Sequence, residues 1–244
     1  MPAPRGVAAG LWRALNVITE LEFKSLAGQG YNRIPLIAEA FADLETPLSL
    51  YLKLAYASGG GRHSFLLESV VGGERFGRYS FIGLPARTLL RANGFRTEVV
   101  TDGEVVETHE GNPLDFIAEY QRRFRVALRP GLPRFCGGLA GYFGYDAVRY
   151  IEPKLSRTEK TGGIDTPDVL LLQCEELAVI DNLSGRLYLI VYADPGQPEA
   201  FHKGKRRLAE LSDKLRFTAG DMMQVQIGQR LRKRYTESPL SLYR

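Results

Sequence analysis

The spacing of apolar and polar positions changes character several times along the chain. After Ile18, apolar residues recur at helical spacing. PLIAEAFADL (35–44) and PLSLYLKLA (47–55) each open on a proline suited to a first helical turn, and Thr46 can cap the second, so both are predicted as helices. From residue 65 the chemistry turns to strands. FLLESVV, RYSFIG, RTLLRA, FRTEVVT and EVVETHE are short, rich in β-formers and separated by Gly, Pro or Asn, which predicts an antiparallel meander. Asp102-Gly103 marks a two-residue hairpin turn, because a type I′ turn needs positive φ at both central positions.

NPLDFIAEYQRRFRVAL (112–128) reads as a helix capped by Asn112, with Leu114, Phe116, Ile117, Tyr120 and Phe124 on one stripe. Beyond it, FCGGLAGYFGYDAVRYIE places Gly137, Gly138, Gly141 and Gly144 among aromatics, which implies close backbone approach or a bulge. VLLLQCEELAVIDN (169–182) and RLYLIVYAD (186–194) read as a buried hairpin, and 198–217 as a surface helix with Phe201, Leu208, Leu211 and Leu215 inward. In the tail, MMQVQIGQR alternates like a strand with Met223, Val225 and Ile227 on one face. ESPLSLYR then starts a helix that stops after one turn, and a domain does not normally end on a helix it cannot complete. The sequence therefore reads as cut.

Composition narrows the class without naming a function. At 244 residues and 44% hydrophobic content, the chain can bury a sizeable core. The formal charge of +4 is small for this length, and the basic runs KGKRR and RLRKRY read as solvated faces, not as a nucleic-acid footprint. Cys136 and Cys174 are too few for a disulfide framework and read as reduced, buried residues of a cytosolic protein. His63, His109 and His202 have no metal-ligand spacing, and no run approaches the roughly 20 apolar residues of a membrane helix. Residues 1–17 are Arg-containing and acid-free but lack a compact apolar region, so they read as a disordered extension and not a targeting peptide.

Few residues carry candidate chemistry. The frame 72–79, GGERFGRY, approaches a phosphate loop, but Arg78 and Tyr79 replace the Lys and Ser/Thr that the motif needs. Its continuation, YSFIG, is predicted as a strand instead of the required helix. In FLLESVV, a period of two puts Leu66, Glu68 and Val70 on one face. If both faces are covered, Glu68 is a buried carboxylate paired by Arg75 or Arg78, or by a cationic ligand, and residue type alone favours the ion pair. The glycines of GGLAGYFGYD do not spell a dinucleotide fingerprint. Glu175-Glu176 and Asp165 with Asp168 are weak acid/base pairs, since neighbouring strand residues face opposite sides and the aspartates lie in a proline loop.

Taken together, ITELEFKSLAGQGYNRIPL, ETPLSLYLKLA, FLLESVVGGERFGRYSFIG, GGLAGYFGYDAVRYIE and AGDMMQVQIGQRLRKRYTESPLSLYR resemble component I of anthranilate synthase, in that family's order and from about Ile18 to Arg244. The resemblance implies an α+β fold of antiparallel β-sheets packed together with flanking helices, here incomplete. It divides the chain into the extension 1–17, an N-terminal domain 18–217, and the start of a chorismate-binding catalytic domain at 218–244. It also implies a cytoplasmic lyase of tryptophan biosynthesis: ammonia from a glutamine amidotransferase, component II, adds to chorismate with magnesium present, and pyruvate leaves. The L-L-E-S motif of the tryptophan feedback site falls on Leu66, Leu67, Glu68 and Ser69, with Tyr79 and Ser80 close by. The implied effector-binding residues are thus Leu67, Glu68, Ser69, Tyr79 and Ser80.

Departures from the family bear on activity. The junction at residues 216–218 is shorter than in the family. The catalytic and magnesium-binding carboxylates, and a Pro-Tyr-Met segment that completes the effector pocket, are expected beyond Arg244. The chain is accordingly expected to be a truncated, internally deleted piece with no catalytic residue or metal ligand of its own and no synthase activity by itself. The alternatives are the related aminodeoxychorismate synthase component I, and a non-catalytic fragment that binds tryptophan or component II; the combined L-L-E-S and G-G-E-R-F-G-R-Y-S-F stretch favours the tryptophan enzyme.

Overall fold

Two five-stranded antiparallel sheets organise the chain in a computed structural model, which describes residues 18–42, 45–57, 60–68, 77–156 and 165–215. The strands are β1 (Ile34–Phe41), β2 (Phe65–Leu67), β3 (Tyr79–Gly83), β4 (Thr88–Asn93), β5 (Arg96–Thr101), β6 (Glu104–Glu110), β7 (Gly138–Phe143), β8 (Val169–Cys174), β9 (Glu176–Asp181) and β10 (Arg186–Ala193). The helices are α1 (Glu20–Gly28), α2 (Pro47–Tyr51, continued by a π-helical turn, Leu52–Tyr56), α3 (Pro113–Arg122), the short α4 (Pro153–Ser156) and α5 (Ala200–Lys214). One sheet runs β1-β10-β9-β3-β2 and the other β6-β5-β4-β8-β7. The α+β class expected from the sequence is what forms.

The layers follow from burial. Leu36, Ile82 and Leu189 of the first sheet pack with Leu50, Leu54 and Leu211 from the helices on its outer side. Its other face meets the second sheet through Ile37, Leu177, Val179 and Ile190, with Cys136 and Cys174 buried there as free thiols. Beyond the second sheet, Phe116, Ile117 and Tyr120 of α3 cover Leu90, Val99 and Leu171. Helices, sheet, sheet and helix stack in that order, each sheet burying an apolar face on its neighbour.

Local signals hold where turn or cap chemistry sets them. Asp102 and Gly103 take φ of 52° and 92° at the β5–β6 hairpin. Thr46 accepts from the Ser49 amide at 3.0 Å, and Asn112 accepts from the Leu114 amide at 3.0 Å. On α5, Phe201, Leu208 and Leu211 face the core, as the stripe predicts. Gly141 is the expected close approach: a Cβ there would overlap the Leu170 carbonyl of β8.

Three expectations fail. The predicted helix at 35–44 is instead β1, which pairs along its whole length with β10, from Ile34↔Ala193 to Phe41↔Arg186. β1 lies at a sheet edge, where the missing N–H of Pro35 is tolerated, and pairing there buries Ile34, Leu36 and Ile37. The predicted meander divides, because the chain leaves the first sheet after Gly83 and enters the second at Thr88, leaving only β4-β5-β6 as a meander. The apolar run at 169–182 is two strands: it breaks at Glu175 and passes from β8 in one sheet to β9 in the other. The expectations for 1–17 and 218–244 lie outside the described residues. No helix among the described residues is long and apolar enough to cross a membrane.

Candidate functional site

The L-L-E-S run begins on β2, the outer strand of the first sheet, and β3 beside it carries Tyr79 and Ser80. Their register is Phe65↔Gly83, Leu66↔Ile82 and Leu67↔Phe81. Directly opposed residues share a face, and so do alternate residues of one strand. Leu67, Tyr79 and Phe81 therefore point toward the second sheet, and Leu66, Ser80 and Ile82 toward the helices. The two aromatic rings stand 6.0 Å apart. Leu67 is 54% exposed although it lies on the apolar side, so this end of the space between the sheets is open. Ser80 is fully buried on the opposite face, where its hydroxyl accepts from Asn182 Nδ2 at 3.2 Å. The structure thus brings Leu67 and Tyr79 to one wall and separates Ser80 from them.

Glu68 comes directly after the last residue of β2 and is exposed, with no ion pair or hydrogen bond among the described residues. The expected buried pair between Glu68 and Arg78 does not form, because β2 is a three-residue edge strand whose end reaches solvent. Ser69, Arg75 and most of the phosphate-loop frame lie outside the described residues. Past Gly77 and Arg78 the chain enters strand β3, so that frame lacks the helix N-terminus a phosphate loop requires.

Arg78 is committed elsewhere. Its Nη2 and Nε donate to Oδ2 and Oδ1 of Asp181 at 2.9 and 3.1 Å, and its guanidinium lies 5.0 Å from the centre of the Tyr79 ring. Asp181 is buried at the end of β9 and also accepts from the amides of Leu183 and Ser184 at 3.1 and 3.4 Å. Asn182 Nδ2 donates in addition to the Gly77 carbonyl at 3.0 Å. This network fixes where the chain enters β3, and with it the placement of Tyr79. The sequence marks Asn182 only as a turn residue. The available signal is an Asp-Asn pair closing an apolar run just before Ser184-Gly185, a pattern in which side chains bond nearby amides.

The Arg78 hydrogen bonds hold the Asp181 carboxyl below the usual carboxylate range, against the opposing effect of burial. A depressed folded value means that ionised Asp181 stabilises the fold above its unfolded value of about 3.9, and that this contribution is lost as pH falls through the folded value. Asp181→Asn should therefore lower the melting temperature most at neutral pH, with the gap to wild type closing in strong acid. A gap that stays constant with pH would remove Asp181 from the acid response.

Of the carboxylates noted in the sequence, Glu175, Glu176 and Asp168 are tied to cations or donors, not to each other. Arg207 grips Glu176 at 2.7 and 2.8 Å. Glu175 meets Arg33 at 3.4 Å and accepts from Gln173 at 2.8 Å. Asp168 accepts from the Tyr150 hydroxyl at 2.7 Å and the Gly94 amide at 2.9 Å. These contacts are structural ties, linking α5 to β9 and the loop before β8 to β4.

No family model matches the chain. Curated proteins do. Anthranilate synthase component 1 of Neisseria meningitidis serogroup B (strain MC58) is 46% identical over 266 residues, covering 93% of this chain and 53% of that protein. The protein of the same name from Pseudomonas putida is 49% identical over 196 residues, covering 80% of this chain and 39% of its own length. The chain spans about half the length of the curated relatives that match nearly all of it. A crystal structure of anthranilate synthase component I from Streptococcus pneumoniae TIGR4 aligns with a TM-score of 0.48 at 23% identity, covering 75% of this chain and 37% of that one.

Proposed function

We propose, from the premise that the chain belongs to the anthranilate synthase component I family, that it is the regulatory portion of such an enzyme and binds tryptophan as feedback inhibitor at Leu67, Glu68, Ser69 and Tyr79. The carrying observation is the solvent-facing carboxylate of Glu68, without a partner among the described residues, which follows Leu67 directly at the open end of β2. A carboxylate with no partner among the described residues suits the ammonium group of an amino acid, and an apolar wall suits its ring. Ser80 takes a supporting part in this reading. Buried on the other face, it holds Asn182, which in turn holds Gly77 and the entry to β3.

In the complete polypeptide the reaction is that of a cytoplasmic lyase: ammonia delivered by the glutamine amidotransferase, component II, adds to chorismate, pyruvate is eliminated, and anthranilate results. Among the described residues no group of three or more His, Cys, Asp or Glu stands together to hold the magnesium ion this chemistry uses. We assign the metal and the acid/base carboxylates to the part of the relatives' length that this chain does not span.

The test is a fluorescence assay of the purified 244-residue chain with chorismate, ammonium and magnesium. No anthranilate should accumulate above the enzyme-free rate. Turnover by this chain would overturn the proposed division of labour.

A further inference from the structure

At the crossover from β8 to β9, a cleft of about 320 Å³ opens beside Arg33 and Phe124, and none of Leu67, Glu68, Tyr79 or Ser80 lines it. Its size is at the lower end of small-molecule sites, and much of its wall is apolar, from Phe124, Val126, Leu139 and the ring of Tyr192. Gly137 shapes one side: a Cβ there would overlap the Tyr192 ring, so glycine lets that ring lie against the backbone.

Most polar groups of the lining are already engaged. The Arg33 guanidinium meets Asp194 at 3.1 Å and Glu175 at 3.4 Å, and it lies 4.9 Å from the centre of the Phe124 ring. Gln173 accepts from the Tyr120 hydroxyl at 2.6 Å and donates to Glu175 at 2.8 Å.

Besides the exposed Gln121 amide, which has no side-chain hydrogen bond among the described residues, two donors are poorly used. Arg134 has no hydrogen bond or ion pair among the described residues. The Tyr192 hydroxyl is 3.5 Å from Cys136 Sγ, a weak acceptor two residues from Arg134. Burial pushes the Tyr192 phenol up, above the usual tyrosine range, so at neutral pH it is a donor. The ligand must then supply the acceptor. A single uncompensated cation over apolar walls suits a monoanion with an apolar body better than a dianion such as phosphate.

We propose that this cleft binds a small carboxylate with an apolar body, its oxygens meeting Arg134 and the Tyr192 hydroxyl and its body lying over Phe124 and Leu139. The site is separate from the proposed effector residues and does not depend on that reading.

The probe is benzoate, titrated into the isotopically labelled 244-residue chain and followed by amide chemical shifts. Saturable shifts are expected at Gly137, Gly138 and Leu139, while Leu67 and Glu68 stay unmoved. Neutral benzamide should bind at least about tenfold more weakly, because it loses the charge-assisted bond. Inorganic phosphate should not displace benzoate. Arg134→Ala and Tyr192→Phe should each weaken benzoate by about tenfold, and Arg134, being exposed, can be changed without lowering the melting temperature. Absence of saturable shifts, equal affinity for benzamide, or unchanged affinity in Arg134→Ala would overturn the proposal.

Discussion

Replacing Glu68 by glutamine is expected to weaken tryptophan binding by about 2 kcal/mol, roughly thirtyfold, the scale of one charge-assisted hydrogen bond. Glu68 is exposed and has no partner among the described residues, so its charge contributes little to folding and the melting temperature should barely move. Ser69→Phe should abolish binding by a different route, a bulky ring taking the place of the effector. Calorimetry of the two variants separates these effects, since Glu68→Gln reports charge and Ser69→Phe reports space. Tryptophan affinity unchanged in both would remove the effector assignment from this strand.

The largest stability effect is expected in β10. Leu189 is fully buried, and its cross-strand neighbours are Ala38 and Ala178. Neither small side chain can reach into the volume that Leu189→Ala would vacate. The cost should be about 3 kcal/mol, the lost transfer energy plus a cavity that does not collapse. On a domain of this size that lowers the melting temperature by roughly 10 °C. Leu183→Ala is the control: Leu183 is 61% exposed in the β9–β10 turn, so its truncation should change stability very little. Equal effects of the two substitutions would contradict the placement of the first core around β10.

How much of this fold the sequence discloses depends on how far apart the deciding residues lie. The β9–β10 hairpin and the caps at Thr46 and Asn112 are set by neighbours a few positions away, and they appear where local chemistry puts them. β1 is different. Pro35 and the spacing of Leu36, Ala40 and Leu44 imitate a helix start, whereas pairing with β10, some 150 residues later, decides the matter. The change of sheet at Glu175 is equally hidden, because Gln173-Cys174-Glu175-Glu176 interrupts an apolar run without Gly or Pro. Its two carboxylates are instead satisfied by Arg33 and Arg207, from the start of β1 and from α5.

The candidate site shows the same division. The motif residues Leu66 to Ser69 are legible as a string, but the surroundings of Glu68 are not. A period-two pattern says which side a residue takes, not whether its strand lies at an edge, and β2 is an edge strand of three residues. The partner of Arg78 is likewise Asp181, 103 positions away, and not the carboxylate ten positions before it. With Arg78 bound to Asp181, Glu68 has no partner among the described residues.

The proposed effector site is tested most directly by calorimetric titration of the 244-residue chain with L-tryptophan, alongside D-tryptophan and L-phenylalanine. Saturable one-to-one binding of L-tryptophan, in preference to its enantiomer and to phenylalanine, is the predicted result. No measurable heat with a folded chain, or equal affinity for the three ligands, would contradict it.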